Sequence, residues 1–532
     1  MGIVSKRRPP FPGCGAAMKR SFVCIGVVLF VVSTLRADPV PAPKPVKETW
    51  DAVYIEGAKA GYFHTTTREV ERDGKKFLAC TQAMRIGIKR EGQVVTLRIE
   101  NGTEETPDGK VVGVSMTQFA GAGKLTQTGR VEDGQLLLRT SAGGDVRKTP
   151  WDDSVIGLVR QEHLFQEKKV KPGDQFSYAS YEPTLQVVTT MRVTVKEPEE
   201  VDVLQVNRQA PGAKAERVKK TLLRVEVVPD KVKVSGRPLQ LPGMTGWLDA
   251  DLQMVRSETN QEGLGRFTIF RTTQAVAEEE GAAPALLPDL LINNLIPLNR
   301  AIPHPATATE IVYHIHLKGD DDPTDAFTQD SRQKAMNVEG ETFDLRVRAV
   351  REPLEATDSD GPGDESLKST YFLDSANEKV MALAEKIVGD GTDPWRKAQR
   401  VEKWVHDHMK VSTAVDYIPA SHTAVDLRGD CRQYAILTAA LCRAAKVPAR
   451  TALGLVYDKD AAKGPVLAFH MWTEVWVKGQ WMGIDAVWGE GGVGADHLKI
   501  TDHSWSDTQT LAPLGAVTRV MGKIKVEVAE VK

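Results

Sequence analysis

Most of the first half of the chain alternates apolar and polar residues. Val94–Ile99 reads VVTLRI, Leu136–Arg139 reads LLLR, Val187–Val193 reads VVTTMRV and Leu222–Val228 reads LLRVEVV. A period of two buries one face of a strand. Asp73-Gly74, Asp108-Gly109 and Asp133-Gly134 fall between such segments, as hairpin turns do. Residues 48–275 are therefore expected to form an antiparallel β domain, one broad curved sheet. Residues 276–305 mix charge, alanine and proline and read as a linker with a short helix near Leu290. Strand patterns return at Glu310–Leu317 and Thr342–Val347, which predicts a small β module over 306–354, followed by a polar linker over 355–367. From Ser369 the period becomes 3.6. Val380, Leu383, Ala384 and Ile387 share one helical face, and Ala398, Val401, Val405 and His408 share another in a helix that Asp393-Pro394 starts. The fold class expected is α+β. Its C-terminal domain spans 368–515, and 516–532 is a terminal strand or tail. No internal repeat or long low-complexity run interrupts this reading.

The N-terminus changes the picture. Lys6-Arg7-Arg8 and Lys19-Arg20 precede an almost purely apolar run from Phe22 to Leu35, which ends in Arg36-Ala37-Asp38. A basic start, a short apolar run and a small residue describe a secretory signal, so residues 1–37 are read as a signal peptide cleaved after Ala37. Met18 is an alternative start. The run is shorter than the roughly 20 residues of a membrane span. Export to the periplasm, cell envelope or medium is expected, the alternative being an uncleaved membrane anchor. Residues 38–47 are proline-rich and read as an exposed linker.

Composition excludes little. The 532 residues suggest about three units. A net charge of -2 gives no basic excess for nucleic acid and no acidic tail. Removal of the signal would leave Cys80, Cys431 and Cys442, an odd number at wide spacing and no disulfide framework. No Cys-x-x-Cys pair suggests zinc, and neither a cofactor nor a metal is expected.

Candidate chemistry begins at Gly429-Asp430-Cys431. Asp430 is a good N-cap, and the run after it is apolar on nearly every side, so a buried helix should start at Cys431. A helix start carries unpaired N–H groups and partial positive charge, which favour a thiolate and can receive an oxyanion. Cys442 lies eleven residues on, about 16 Å along the helix, too far for a disulfide. Leu467–Val477 alternates, with His470, Trp472, Glu474 and Trp476 on one face. Lys478-Gly479 then turns the chain into Gln480–Val487. With a two-residue turn Val477 pairs Gln480, and Asp485 falls diagonal to His470 on the same face. A three-residue turn would separate them. A thiol needs a base, and the base needs a partner that fixes its tautomer. Cys431, His470 and Asp485 are the candidate nucleophile, base and orienting acid.

Three blocks resemble the transglutaminase-like superfamily, related in fold to papain-like cysteine proteases. They are Gly429-Asp430-Cys431 with the helix through Pro448-Ala449-Arg450, His470-x-Trp472-x-Glu474-Val475, and Trp481-x-x-Ile484-Asp485. The resemblance implies a papain-like domain and acyl transfer through a cysteine thioester, acting on protein or peptide amides as protease, deamidase or transamidase. Two departures stand out. Val411 to Arg428 holds no Gln or Trp to serve as a second oxyanion donor, the nearest upstream Trp being Trp404. Val487 also replaces the small polar residue that often follows the aspartate. Nothing suggests the calcium sites of animal transglutaminases.

The remaining signals are weaker. His314 and His316 share a strand face without a visible third ligand, and His406-Asp407-His408 straddles a helix without converging. Asp320-Asp321-Asp322-Pro323 lacks calcium-loop spacing and reads as a turn. His497 follows the Asp485 block and is a candidate to line the site, with Trp472 and Trp488 as candidate walls. The alternative function is a non-catalytic cell-envelope scaffold that binds a partner through the β domain. It predicts a buried Cys431, or His470 more than about 5 Å from it.

Overall fold

The computed structural model describes residues 45–532 except 91, 121–122, 142–145, 207–214, 235–236, 280–286, 288, 290–292, 321, 354–360, 413–416, 459–463 and 507–511. The signal segment, most of the proline-rich linker, the helix expected near Leu290 and Asp321 lie outside the described residues.

Fourteen strands between Lys47 and Thr272 pair antiparallel in one sheet. The alternating segments form it as expected. Asp73-Gly74 joins Ala58–Arg72 to Lys75–Arg90, and Asp133-Gly134 joins Gly123–Glu132 to Gln135–Thr140. In both turns the aspartate and the glycine take φ between 49° and 71°, the geometry of a two-residue hairpin. Asp108-Gly109 belongs to a longer connection, closed by the Thr106 N–H donating to the Lys110 carbonyl at 2.9 Å. The sheet curls so that its edges approach. Val155, beyond one edge strand, bridges Ala179 on the other, and Trp151 packs on Tyr181 with ring centroids 5.6 Å apart. The helix Leu158–Lys168 has only Gly157 at its cap position. Glu105, buried on a neighbouring strand, supplies the missing acceptor to the N–H groups of Val159 and Arg160. A carboxylate there also meets the positive end of the helix.

Glu310–Leu317, Gln333–Glu339 and Thr342–Arg348 form a four-stranded sheet whose fourth member is Ile524–Val531. This sheet supports a second one. Ile311, Tyr313, Ile315, Phe343 and Val526 share a core with Leu455, Leu467, Leu498 and Ile500 of the sheet that carries the candidate site.

That second sheet has Val466–Val477 at its centre. It pairs antiparallel with Ala449–Asp458 on one side, and with Ile296–Pro297 and Gln480–Ile484 on the other. His497–His503 pairs beyond Ala449–Asp458. Cys431–Ala444 and Pro394–His408 pack against it, and Glu378–Val388 packs on those two helices. Every residue from Gln433 to Arg443 is buried, which is why that helix is apolar all round. Val380, Ala384, Ala398, Val401 and Val405 face the core as their spacing predicts. His408, expected on the same face, is exposed at the helix end and stacks on Trp404 at 4.2 Å. The architecture is α+β, with a large antiparallel sheet first and a buried helix against an antiparallel sheet in the C-terminal third.

Candidate active site

The Cys431 helix opens with a capping box. The Asp430 carboxylate accepts the Arg432 N–H at 2.9 Å and the Gln433 N–H, while Gln433 Oε1 accepts the Asp430 N–H at 3.2 Å. Gly429 is required by close approach. A Cβ there would lie 2.3 Å from the Gln433 Cβ. Asp430 also holds the Arg432 guanidinium at 2.7 Å, and Arg432 stands over the Tyr417 ring. The cap thus uses the N–H groups of residues 432 and 433. The Cys431 N–H has no acceptor among the described residues, so it is the helix-start donor left for an oxyanion.

Lys478 and Gly479 take φ of 50° and 80°, and Val477 pairs Gln480, so the turn is the two-residue one. The ladder ends at Thr473 and Ile484. Asp485 follows it directly and reaches His470, whose Nε2–H donates to Asp485 Oδ2 at 2.7 Å. Cys431 lies beside His470, close enough to act on the charge of the imidazole. Asp485 occupies Nε2, which leaves Nδ1 to the thiol. Cys431 is half-buried.

The electrostatics favour a charged His470 beside a charged Asp485. Burial works against a charged His470, but the adjacent Asp485 carboxylate, its hydrogen bond and Cys431 outweigh it, and His470 is pushed up to about 10. Burial would raise Asp485, yet His470 and then His497 hold it well below the ordinary carboxylate range. The backbone fixes Asp485 as well. Its Oδ1 accepts the Val487 N–H at 2.9 Å, and its own N–H donates to Glu402 Oε1 at 3.1 Å. Two indoles flank the imidazole. Trp488 lies 4.7 Å from His470 and Trp472 is stacked at 6.4 Å.

His497 joins this cluster. Its Nε2 lies 3.1 Å from Asp485 Oδ2 and its Nδ1 lies 2.9 Å from Asp496 Oδ1. Two members were not anticipated from the sequence. Glu402 is 1% exposed and accepts the N–H groups of Asp485 and Gly491. Its only signal was a carboxylate beside the apolar face of Val401 and Val405. Asp496 had no signal beyond its neighbour.

Other candidates go elsewhere. Glu474, within the His470 block, is buried and binds Arg450 at 2.8 Å and Lys499 at 2.7 Å, so it ties strands together. His314 pairs Asp344 and His316 pairs Glu341. His406 faces the carbonyls of Ala486 and Val487, while Asp407 pairs Lys403. Asp320 pairs Arg519. Cys442 is fully buried, which pushes its thiol far up, and Cys80, Cys431 and Cys442 are all free. Among the described residues no three metal-binding side chains gather.

No curated protein matches the chain. Among solved structures, a candidate cysteine protease from Cytophaga hutchinsonii is 17% identical, with 42% of this chain and 86% of that chain covered and a TM-score of 0.27. A β-barrel-like protein of a domain of unknown function from Brucella abortus is 13% identical, with 42% and 96% covered and a TM-score of 0.28. A candidate protease from Parabacteroides distasonis is 9% identical, with 76% and 66% covered and a TM-score of 0.16. Residues 381–486, which include Cys431, His470 and Asp485, match the family model of the transglutaminase-like superfamily, and the C-terminal third of the chain therefore carries a transglutaminase-like domain.

Proposed function

We propose that the protein is an exported cysteine enzyme that transfers the acyl group of a protein or peptide amide through a thioester. The observation that carries this reading is the placing of Cys431, at a helix start, beside a His470 that is hydrogen-bonded to Asp485 and held in its charged form by it. His470 takes the thiol proton, and the Cys431 sulfur attacks the amide carbonyl carbon. The oxyanion that forms faces the Cys431 N–H at the helix start. His470 returns its proton to the departing amine as the C–N bond breaks, leaving the acyl group on sulfur. Water or an amine, deprotonated by His470, then attacks the thioester and the thiol is regenerated. Asp485 keeps the imidazole oriented and its charge compensated.

Hydrolysis at a peptide bond, hydrolysis at a glutamine side chain and transfer to an amine share these steps. Candidate peptides incubated with and without a primary amine distinguish them, through chain cleavage, ammonia release or amine incorporation. Cys431→Ala is expected to abolish the product and the labelling of a thiol at about pH 6, where an ordinary cysteine is almost wholly protonated. Activity that persists in a folded Cys431→Ala protein would refute the proposal. The non-catalytic scaffold reading expects a buried Cys431, and Cys431 is half-buried. Export rests on the sequence of residues 1–37 and predicts a mature N-terminus at Asp38. N-terminal sequencing of the protein from its native host reads it directly, and an intact Met1 or Met18 would point to the uncleaved anchor.

A further inference from the structure

His497 lies outside the three residues assigned above, and its surroundings define its state. Nε2 faces Asp485 Oδ2 at 3.1 Å and Nδ1 faces Asp496 Oδ1 at 2.9 Å. An ionised carboxylate is only an acceptor, and a neutral imidazole has only one N–H. Both contacts are hydrogen bonds only if both nitrogens carry protons. The side chain is 7% exposed, so water does not screen the arrangement. We propose that His497 is a permanent imidazolium, clamped between Asp485 and Asp496, that positions Asp485 for His470 and offsets part of its negative charge.

This inference rests on the proposed cysteine chemistry and extends it by one residue. The buried groups then alternate in sign: His470 cation, Asp485 anion, His497 cation, Asp496 anion. His470 and His497 share one oxygen of Asp485. A lone Asp485 would hold the proton on His470 more tightly, and His470 must release that proton to the leaving amine. The other groups around His497 do not disturb the arrangement. Trp472 and Trp488 meet its ring edge-on at 5.4 and 5.5 Å. Arg332 donates to the carbonyls of Gly494 and His497, and the Tyr313 hydroxyl donates to the Ala495 carbonyl. Lys499 is engaged by Glu474 and Asp502. Burial opposes a charge on His497, but Asp496 first and Asp485 second raise its pKa.

The test is the pH profile of Cys431 alkylation by iodoacetate, whose negative charge makes the rate depend on the imidazolium as well as the thiolate. His497→Gln and His497→Asn are close in size and carry no charge. The two imidazole rings are 6.3 Å apart. At that separation, with an effective dielectric of about 20, one lost cation moves a titration up by roughly one to two pH units. The whole alkylation window should therefore shift to higher pH in both variants. A structural role alone would lower the rate without moving the window, and an unmoved window in either folded variant overturns the inference. Histidine-selective nitrogen-15 NMR of the unaltered protein at about pH 8 decides the matter independently of folding in the variants. His470 and His497 should give two doubly protonated rings, and a single one overturns the inference. Absence of low-pH labelling at Cys431 in the unaltered protein would instead sink the underlying cysteine reading.

Discussion

Glu402 offers a quantitative test of how the site is built. It sits 1% exposed behind Asp485, with Oε1 receiving the N–H groups of Asp485 and Gly491. Burial, aided by the nearby Asp485 charge, pushes its pKa from the ordinary 4.5 to about 7. A carboxyl whose pKa is raised on folding stabilises the fold fully below its unfolded pKa. That stability is lost as pH rises through the folded value, here between about 4.5 and 7. A displacement of that size corresponds to roughly 3 kcal/mol, an upper estimate. Glu402→Gln keeps an oxygen for both N–H groups and removes the titration. It should therefore match the unaltered protein in stability near pH 4.5 and exceed it by about 1–3 kcal/mol at pH 8.5. Urea unfolding followed by tryptophan fluorescence at the two pH values measures the difference. A stability gain from Glu402→Gln that is equal at both pH values, or a loss that grows with pH, would refute the assignment of a buried, proton-linked Glu402.

Three further outcomes are expected. Asp485→Asn removes the charge that holds the proton on His470, so labelling of Cys431 at about pH 6 should fall by two orders of magnitude or more, measured by mass spectrometry of the alkylated peptide. Gly429→Ala drives a methyl group into Gln433 and breaks the capping box, which should cost about 1–3 kcal/mol in urea unfolding and slow alkylation at all pH values alike. A chain ending at Lys523 loses the strand Ile524–Val531 and with it buried Val526 and Val528, so it should lose low-pH labelling of Cys431 while the N-terminal sheet keeps its far-ultraviolet dichroism.

What the sequence disclosed follows the range of the interactions. Local rules carried the first sheet, because Asp73-Gly74 and Asp133-Gly134 fix their hairpins without help from elsewhere. They also carried the catalytic hairpin, where Lys478-Gly479 sets the register that leads His470 to Asp485. The contact between Cys431 and His470 is long-range and was inferred only from the residue types and the resemblance. Distant pairings stayed hidden. Nothing in EIVYHIHL states that its partner is IKVEVAEV, and Glu105 as the cap of the Leu158 helix has no local trace. Glu402 and Asp496 were missed for the same reason: a carboxylate on a helix or in a loop reads as solvated until the fold buries it.

The strand Ile524–Val531 also has a consequence in time. Its partner Glu310–Leu317 leaves the ribosome roughly 200 residues earlier, a delay on the order of 10–40 s at ordinary elongation rates. Until then that strand shows an open edge. The layer it completes carries Tyr313, Arg332 and Gln333, whose side chains hold the backbone of Ala495, Gly494, His497 and Lys499. The loop and strand that set His497 against Asp485 thus gain their full support only when residue 531 has been made. Synthesis itself acts as a timer: the strand that completes the supporting layer is made long after its partner.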